Sequence, residues 1–240
     1  MPAITARFAP AWCWPGPDCQ TGGMAHAWTL APADRVADTA VGLLGWEVAA
    51  NGVRVRLVEV EAYSGVGVDP ASHAHRGPTP RTRVMFGPAG VAYLYFVFGA
   101  HWCLNVVAGR PGEAAAVLLR AGEVVAGRDA ARLRRPGVAD RDLARGPARL
   151  VRALGLDGSA TGTSLLDGSG PILLTPPRRR VARGTVRSGP RVGVAAAQDV
   201  PWRFWLDGDR HVSPYRRHLP RRRTAPVPST VESAGTVGPG

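Results

Sequence analysis

The chain has 240 residues, enough to bury one full core and carry tails, and its formal charge is +12 from 30 basic residues, every one an arginine. No apolar run is long enough to span a membrane, no basic segment leads into an apolar one at the start, and the three cysteines (Cys13, Cys19, Cys103) form neither a CxxC pair nor a disulfide framework. This argues against a spanning or disulfide-stapled protein. It favours a soluble, cytoplasmic monomer with a polyanionic partner, although lysine-free arginine beside abundant Ala, Gly and Pro also fits a coding bias.

Residues 1–23 show no periodicity and are expected to form a disordered arm, with Met24 a candidate start. From Pro32 the apolar spacing predicts an amphipathic helix starting near Ala33 or Asp34 and stopping at Gly45. Residues 46–50 and 53–62 read as two strands joined by Asn51-Gly52, a strong hairpin signal. A long loop, 64–90, follows, rich in Pro and Gly and carrying His73, His75, Arg76, Arg81 and Arg83. Structureless loops of that length are usually functional or disordered. Residues 91–98 and 101–108 predict an aromatic hairpin turning at Gly99-Ala100 in a type II′ turn, which puts Phe98 and His101 at its tip.

A buried strand is expected over 114–121, then a helix over 123–133, and a second helix over 148–154 that Arg145-Gly146-Pro147 starts and Gly155 stops. The stretch 158–190 reads as turns and short strands, and 191–195 and 202–206 as final strands. Residues 24–219 form the expected catalytic domain, and 220–240 a disordered basic and Pro-rich tail. No βαβ rhythm appears. The expected class is α+β: a single domain with a largely antiparallel, curved sheet, a protruding hairpin and peripheral helices.

The chemistry concentrates in RLVEVEAY, residues 56–63. Strand alternation turns Val58 and Val60 one way and Glu59 and Glu61 the other, making either an exposed face or the wall of a polar pocket. An acid on a strand is more often solvated than catalytic. Two acids about 7 Å apart at Cα would also suit a glycoside-hydrolase pair, and spacing does not say which one acts. His73 and His75 make a weak HxH with no third ligand at a recognisable spacing, so no metal or other cofactor is expected. Tyr93 and Tyr95 share one face, and Leu94, Phe96 and Phe98 the other. Asn105, one of two asparagines, lies in an apolar strand and either ties the sheet or reads a ligand; Arg120 is either ion-paired or aimed at the acids.

VEVEAY, DPASHAHRG, TPRTRVMFGPAG, AYLYFVFG, HWCLNVV, VLLRA, DRDLARGPARLVRALGLDG, GPRVGV and PWRFWL, in that order over about 32–215, together resemble the alkyladenine (3-methyladenine) DNA glycosylase family. The resemblance implies a glycosylase of base excision repair acting on double-stranded DNA with damaged purines, at the nucleoid if the source is bacterial. It implies that Glu61 activates a water with Arg120 beside it. Tyr63, His73 and Tyr95 would sandwich a flipped base, and Asn105 would crowd out guanine. Phe98 stands where the family commonly has a tyrosine that fills the gap in the stack, with Arg76, Arg81, Arg83 and His101 on the DNA. Without lysine, no side-chain amine is present for a strand-cleaving Schiff base, so a monofunctional enzyme is expected. A non-catalytic nucleic-acid-binding module, or a hydrolase of small nucleosides or glycans, are the rival readings.

Overall fold

A computed structural model describes residues 31–217; the expected arm over 1–23 and tail over 220–240 lie outside the described residues. After a 3-10 turn at Ala33–Arg35, helix α1 covers Val36–Leu43 and Gly45 follows at positive φ. Strands β1 (Glu47–Ala50) and β2 (Val53–Tyr63) make the predicted hairpin, with Asn51 at φ 47° and Gly52 at φ 77°, the paired positive angles of a type I′ turn. Asn51 adds a tertiary role, because its Nδ2 donates to the Leu154 and Gly155 carbonyls.

β2 organises the sheet. One edge pairs along its length with β5 (Ala115–Ala126). The other edge is shared: the first half of β2 takes β1, and Glu59–Glu61 takes β8 (Arg203–Leu206). β3 (Ala92–Val97) and β4 (His101–Ala108) extend the sheet past β5, β6 (Leu173–Thr175) extends it past β1, and β7 (Val186–Gly189) joins β8. Every pairing is antiparallel. Bulges in the β2–β5 ladder flank Glu59 and bend the sheet where the acids sit. The described residues form one α+β domain with a curled sheet.

The two faces of β2 differ in kind. Val58, Val60 and Ala62 enter the main core with Leu104, Val106, Val117 and Leu119, covered by α1 and by α3 (Pro147–Leu154). The opposite face carries the acids and a smaller apolar cluster of Ala74, Met85, Tyr93, Val107, Ala114 and Ala116. Ala74 and Met85 belong to the long loop, which is therefore seated on this face. Gly65 starts that seat: a Cβ there would collide with the Ala114 carbonyl.

Three expectations are corrected. The strand expected over 114–121 continues to Ala126, and helix α2 is confined to Arg128–Arg134. Pairing with β2 as far as Arg54 holds 123–126 extended, and Gly127 at φ 73°, pressed against the Gly52 carbonyl, makes the break. The segment 191–195 is not a strand: the Val192 N–H is spent on Glu61, and Gly193 takes φ 72°. The aromatic hairpin turns one residue early, at Phe98 (φ 53°) and Gly99 (φ 65°), with the Ala100 N–H donating to the Val97 carbonyl at 3.2 Å.

Candidate active site

Cross-strand register lines up the candidate residues. Tyr93 opposes Asn105, Asn105 opposes Leu118, Leu118 opposes Glu61, and Glu61 opposes Arg203, giving one row across five strands. Directly opposed residues of an antiparallel pair share a face. Glu59 and Tyr63 flank Glu61 on that face, as does Arg120 two residues from Leu118.

Both acids are fully buried, and their partners differ. Glu59 accepts from Arg120 Nε at 2.8 Å, Arg203 Nε at 2.7 Å, the Ser213 N–H at 2.6 Å and Ser213 Oγ at 2.9 Å. Arg203 is held further by the Ser213 carbonyl and by the Trp205 ring, 4.7 Å away. Glu59 is thus an internal ion knot. Glu61 accepts from Tyr63 OH and the Val192 N–H, both at 2.8 Å, and lies 3.5 Å from Arg120 Nη1. A carboxylate offers about four lone-pair sites, so Glu61 retains capacity for a further donor while Glu59 is saturated. Burial opposes the charge of Arg120, yet Glu61 and Glu59 outweigh it and raise its pKa. Burial and the Glu61 charge push the Tyr63 phenol well above its usual range, so it is a donor throughout the neutral range.

Beside the acids lies an aromatic cluster. His73 meets Tyr95 edge-on at 4.6 Å between ring centroids, and its Nδ1 lies 3.2 Å from Tyr93 OH. Tyr93 and Tyr95 are 5.7 Å apart, and the Arg81 guanidinium lies over Tyr95 at 5.3 Å. Packing of the imidazole among these rings, then the Arg81 charge, lower the His73 pKa to about 4, although its outer edge remains exposed. Burial raises both tyrosines, and it lifts the neighbouring Cys103 thiol to about 11. Asn105 commits its Nδ2 to the Tyr93 carbonyl at 3.0 Å, so the amide ties β3 to β4 beside the aromatic cluster.

Phe98 stands apart at the hairpin tip, 94% exposed. His101 opposes Val97 beside it and is exposed, as are Arg76 and Arg83 on the loop. Leu94 joins the main core, whereas Phe96 lies on the outside against Trp102, 4.9 Å between centroids. Among the described residues no group of three or more His, Cys, Asp or Glu gathers as a metal site.

Sequence reasoning missed four supporting residues. Arg203 and Ser213 complete the knot on Glu59, and Arg191 and Asp69 form a buried ion pair next to Glu61 and Tyr63. Arg203 and Ser213 lie 144 and 154 residues beyond Glu59, and Arg191 lies 122 beyond Asp69, which itself follows the acids closely. Arg191, Asp69 and Arg203 left a trace in GPRVGV, DPASH and PWRFWL, and nothing marked Ser213.

The methylpurine-DNA glycosylase (MPG) family model matches residues 29–210. A protein of Frankia casuarinae named "Putative 3-methyladenine DNA glycosylase" is 52% identical over 183 residues, 72% of this chain and 85% of that one. Proteins of the same printed name from Streptomyces avermitilis and Nocardia farcinica are each 50% identical, over 71% and 80% of this chain and 81% and 90% of theirs. With the match spanning nearly all the described residues and relatives at half identity over most of their length, the chain belongs to the methylpurine-DNA glycosylase family.

Proposed function

We propose that the protein is a monofunctional DNA glycosylase that flips an alkylated or deaminated purine out of duplex DNA and hydrolyses its N-glycosidic bond. The observation that carries this reading is the unequal treatment of two neighbouring buried acids. Glu59 is saturated by two guanidiniums and a serine, whereas Glu61 keeps acceptor capacity beside an aromatic cluster. Glu61 takes a proton from water as the oxygen bonds to the sugar C1′, and the electron pair of the glycosidic bond leaves with the base. Tyr63 OH and the Val192 N–H fix the carboxylate, and Arg120 steadies the charge around it.

A base inside the stack is out of reach, and extrusion takes a few kcal/mol, least for a damaged pair. Phe98 suits the gap left behind because it is apolar, exposed and carried on a tight turn. Tyr63, His73 and Tyr95 form the stacking walls, Asn105 crowds the exocyclic amine of guanine, and Arg76, Arg81, Arg83 and His101 contact the duplex. A purine alkylated at N3 or N7 is cationic and departs neutral, so one general base suffices for it.

The test is single-turnover release from duplexes carrying one 7-methylguanine or one hypoxanthine, comparing wild type with Glu61→Gln at matched binding. Wild type should release base and leave an intact abasic site, and the variant should bind with release about 10²–10⁴-fold slower. Binding by both without release would favour a binding module. Strand cleavage without alkali would overturn the monofunctional assignment.

A further inference from the structure

Beneath Tyr63 lies a buried ion pair that the hydrolysis itself does not use. Arg191 is fully enclosed; its Nη1 and Nη2 donate to the two oxygens of Asp69 at 2.6 and 2.8 Å, and Nη1 also donates to the Ala62 carbonyl at 2.9 Å. Asp69 is buried too and accepts from the Ser64 and Ala71 N–H groups, which binds the start of the long loop to the pair. The guanidinium lies over the Tyr63 ring at 4.7 Å, with Trp202 at 5.4 Å, and the next residue, Val192, donates its N–H to Glu61. Tyr63 thus has a cation against its ring and is half-buried as a residue.

We propose that Asp69 and Arg191 are specificity-determining positioning residues: Asp69 neutralises the cation under Tyr63 so that the opposite face of the ring can accept a positively charged purine. This rests on the glycosylase reading and adds to it a basis for choosing between cationic and neutral lesions. A ring already engaged by an uncompensated cation is a poor platform for a second one. A base stacked about 3.5 Å beyond the ring would place its charge about 8 Å from the guanidinium. At an effective dielectric near 20, two unit charges at that separation correspond to roughly a thirty-fold change in a rate or binding constant. With Arg81 already over Tyr95, the aromatic cluster holds another cation, which makes neutrality under Tyr63 matter more.

The experiment compares single-turnover release of 7-methylguanine (cationic) and hypoxanthine (neutral) in wild type, Asp69→Asn, Arg191→Met and the double variant. Where a lesion is not released, its excess affinity over undamaged duplex replaces the rate. Asp69→Asn should lower the cationic-to-neutral ratio ten-fold or more, and Arg191→Met should raise it. The double variant, with no charge beneath the ring, should return to within about threefold of wild type. A purely structural pair would slow both lesions alike and could not move the ratio in opposite directions. If one single variant does not fold, the other and the double variant still decide. Ratios within about twofold of wild type in every folded variant overturn the proposal. A wild type that neither releases nor prefers either lesion overturns the glycosylase reading and this proposal with it.

Discussion

Phe98→Gly should make the protein more stable and less active. Phe98 sits at φ 53°, where an L-residue carries about 1–2 kcal/mol of steric penalty that glycine escapes. Its side chain is 94% exposed, so removing it forfeits almost no burial. Glycine gives back about 0.4–1 kcal/mol through a freer unfolded chain, leaving a net gain of about 0.5–1 kcal/mol. For a domain of this size that is a rise in Tm of roughly 1–4 °C. The same change removes the only aromatic at the hairpin tip, and a base–aromatic stack is worth about 1–3 kcal/mol. Single-turnover release from a lesion duplex should therefore fall roughly 5- to 150-fold, while release from the same lesion in a single strand, where no gap needs filling, should change little. Thermal melting and the two release assays settle it. A lower Tm would mean that Phe98 packs where exposure says it does not, and undiminished duplex activity would remove the plug from the mechanism.

Arg203→Met should destabilise the protein by about 3–5 kcal/mol, because it strips a guanidinium from a carboxylate with no access to water; a melt should show a fall of roughly 6–20 °C, and a change under 2 °C would contradict the knot around Glu59. Replacing Arg76 or Arg83 with alanine should flatten the slope of log affinity against log salt by about one unit each, whereas Arg81→Ala should in addition alter lesion preference because Arg81 covers Tyr95. His73 supplies a pH signature. The folded protein keeps it neutral down to about pH 4 while the unfolded chain protonates it near 6.5, so stability is lost as pH falls through that window. Solvent at the exposed ring edge reduces the size of the effect. His73→Gln should therefore show a shallower loss of Tm between pH 7 and 4.5 than wild type, and equal slopes would refute the assignment.

Local chemistry explains which parts of the fold were legible from sequence. Asn51-Gly52, Gly155 and the valine–glutamate alternation of β2 act within a few residues, so their signal survives without tertiary context. The start of the expected helix over 123–133 is strand instead, because its apolar spacing suited a helix whereas β2 offers a partner strand as far as Arg54. The turn at Phe98 was misplaced because a bulky aromatic at positive φ is a poor guess from propensity. In the site, Glu61, Tyr63, Tyr95, Asn105 and Arg120 come from β2 and from the β3–β4–β5 meander that pairs with it, and a reader of alternation can place the residues of each strand on one face. The Val192 N–H, Arg203 and Ser213 reach the acids only when the chain returns more than a hundred residues later.

Those late contributions explain how two adjacent acids on one strand can behave differently. Arg120 is the cation they share, 2.8 Å from Glu59 and 3.5 Å from Glu61. Had it closed on Glu61 in a tight bidentate pair, both carboxylate oxygens would be engaged and no acceptor would remain for a further donor. Arg203 and Ser213 share Glu59 with Arg120, so that the four donors together occupy that carboxylate. Glu61 then has a stabilising charge nearby, together with hydrogen bonds from Tyr63 and the Val192 N–H that aim it without saturating it. The saturated acid therefore fixes where Arg120 sits, and β8, the last described strand, helps decide which charges surround Glu61 on the strand at the centre of the sheet.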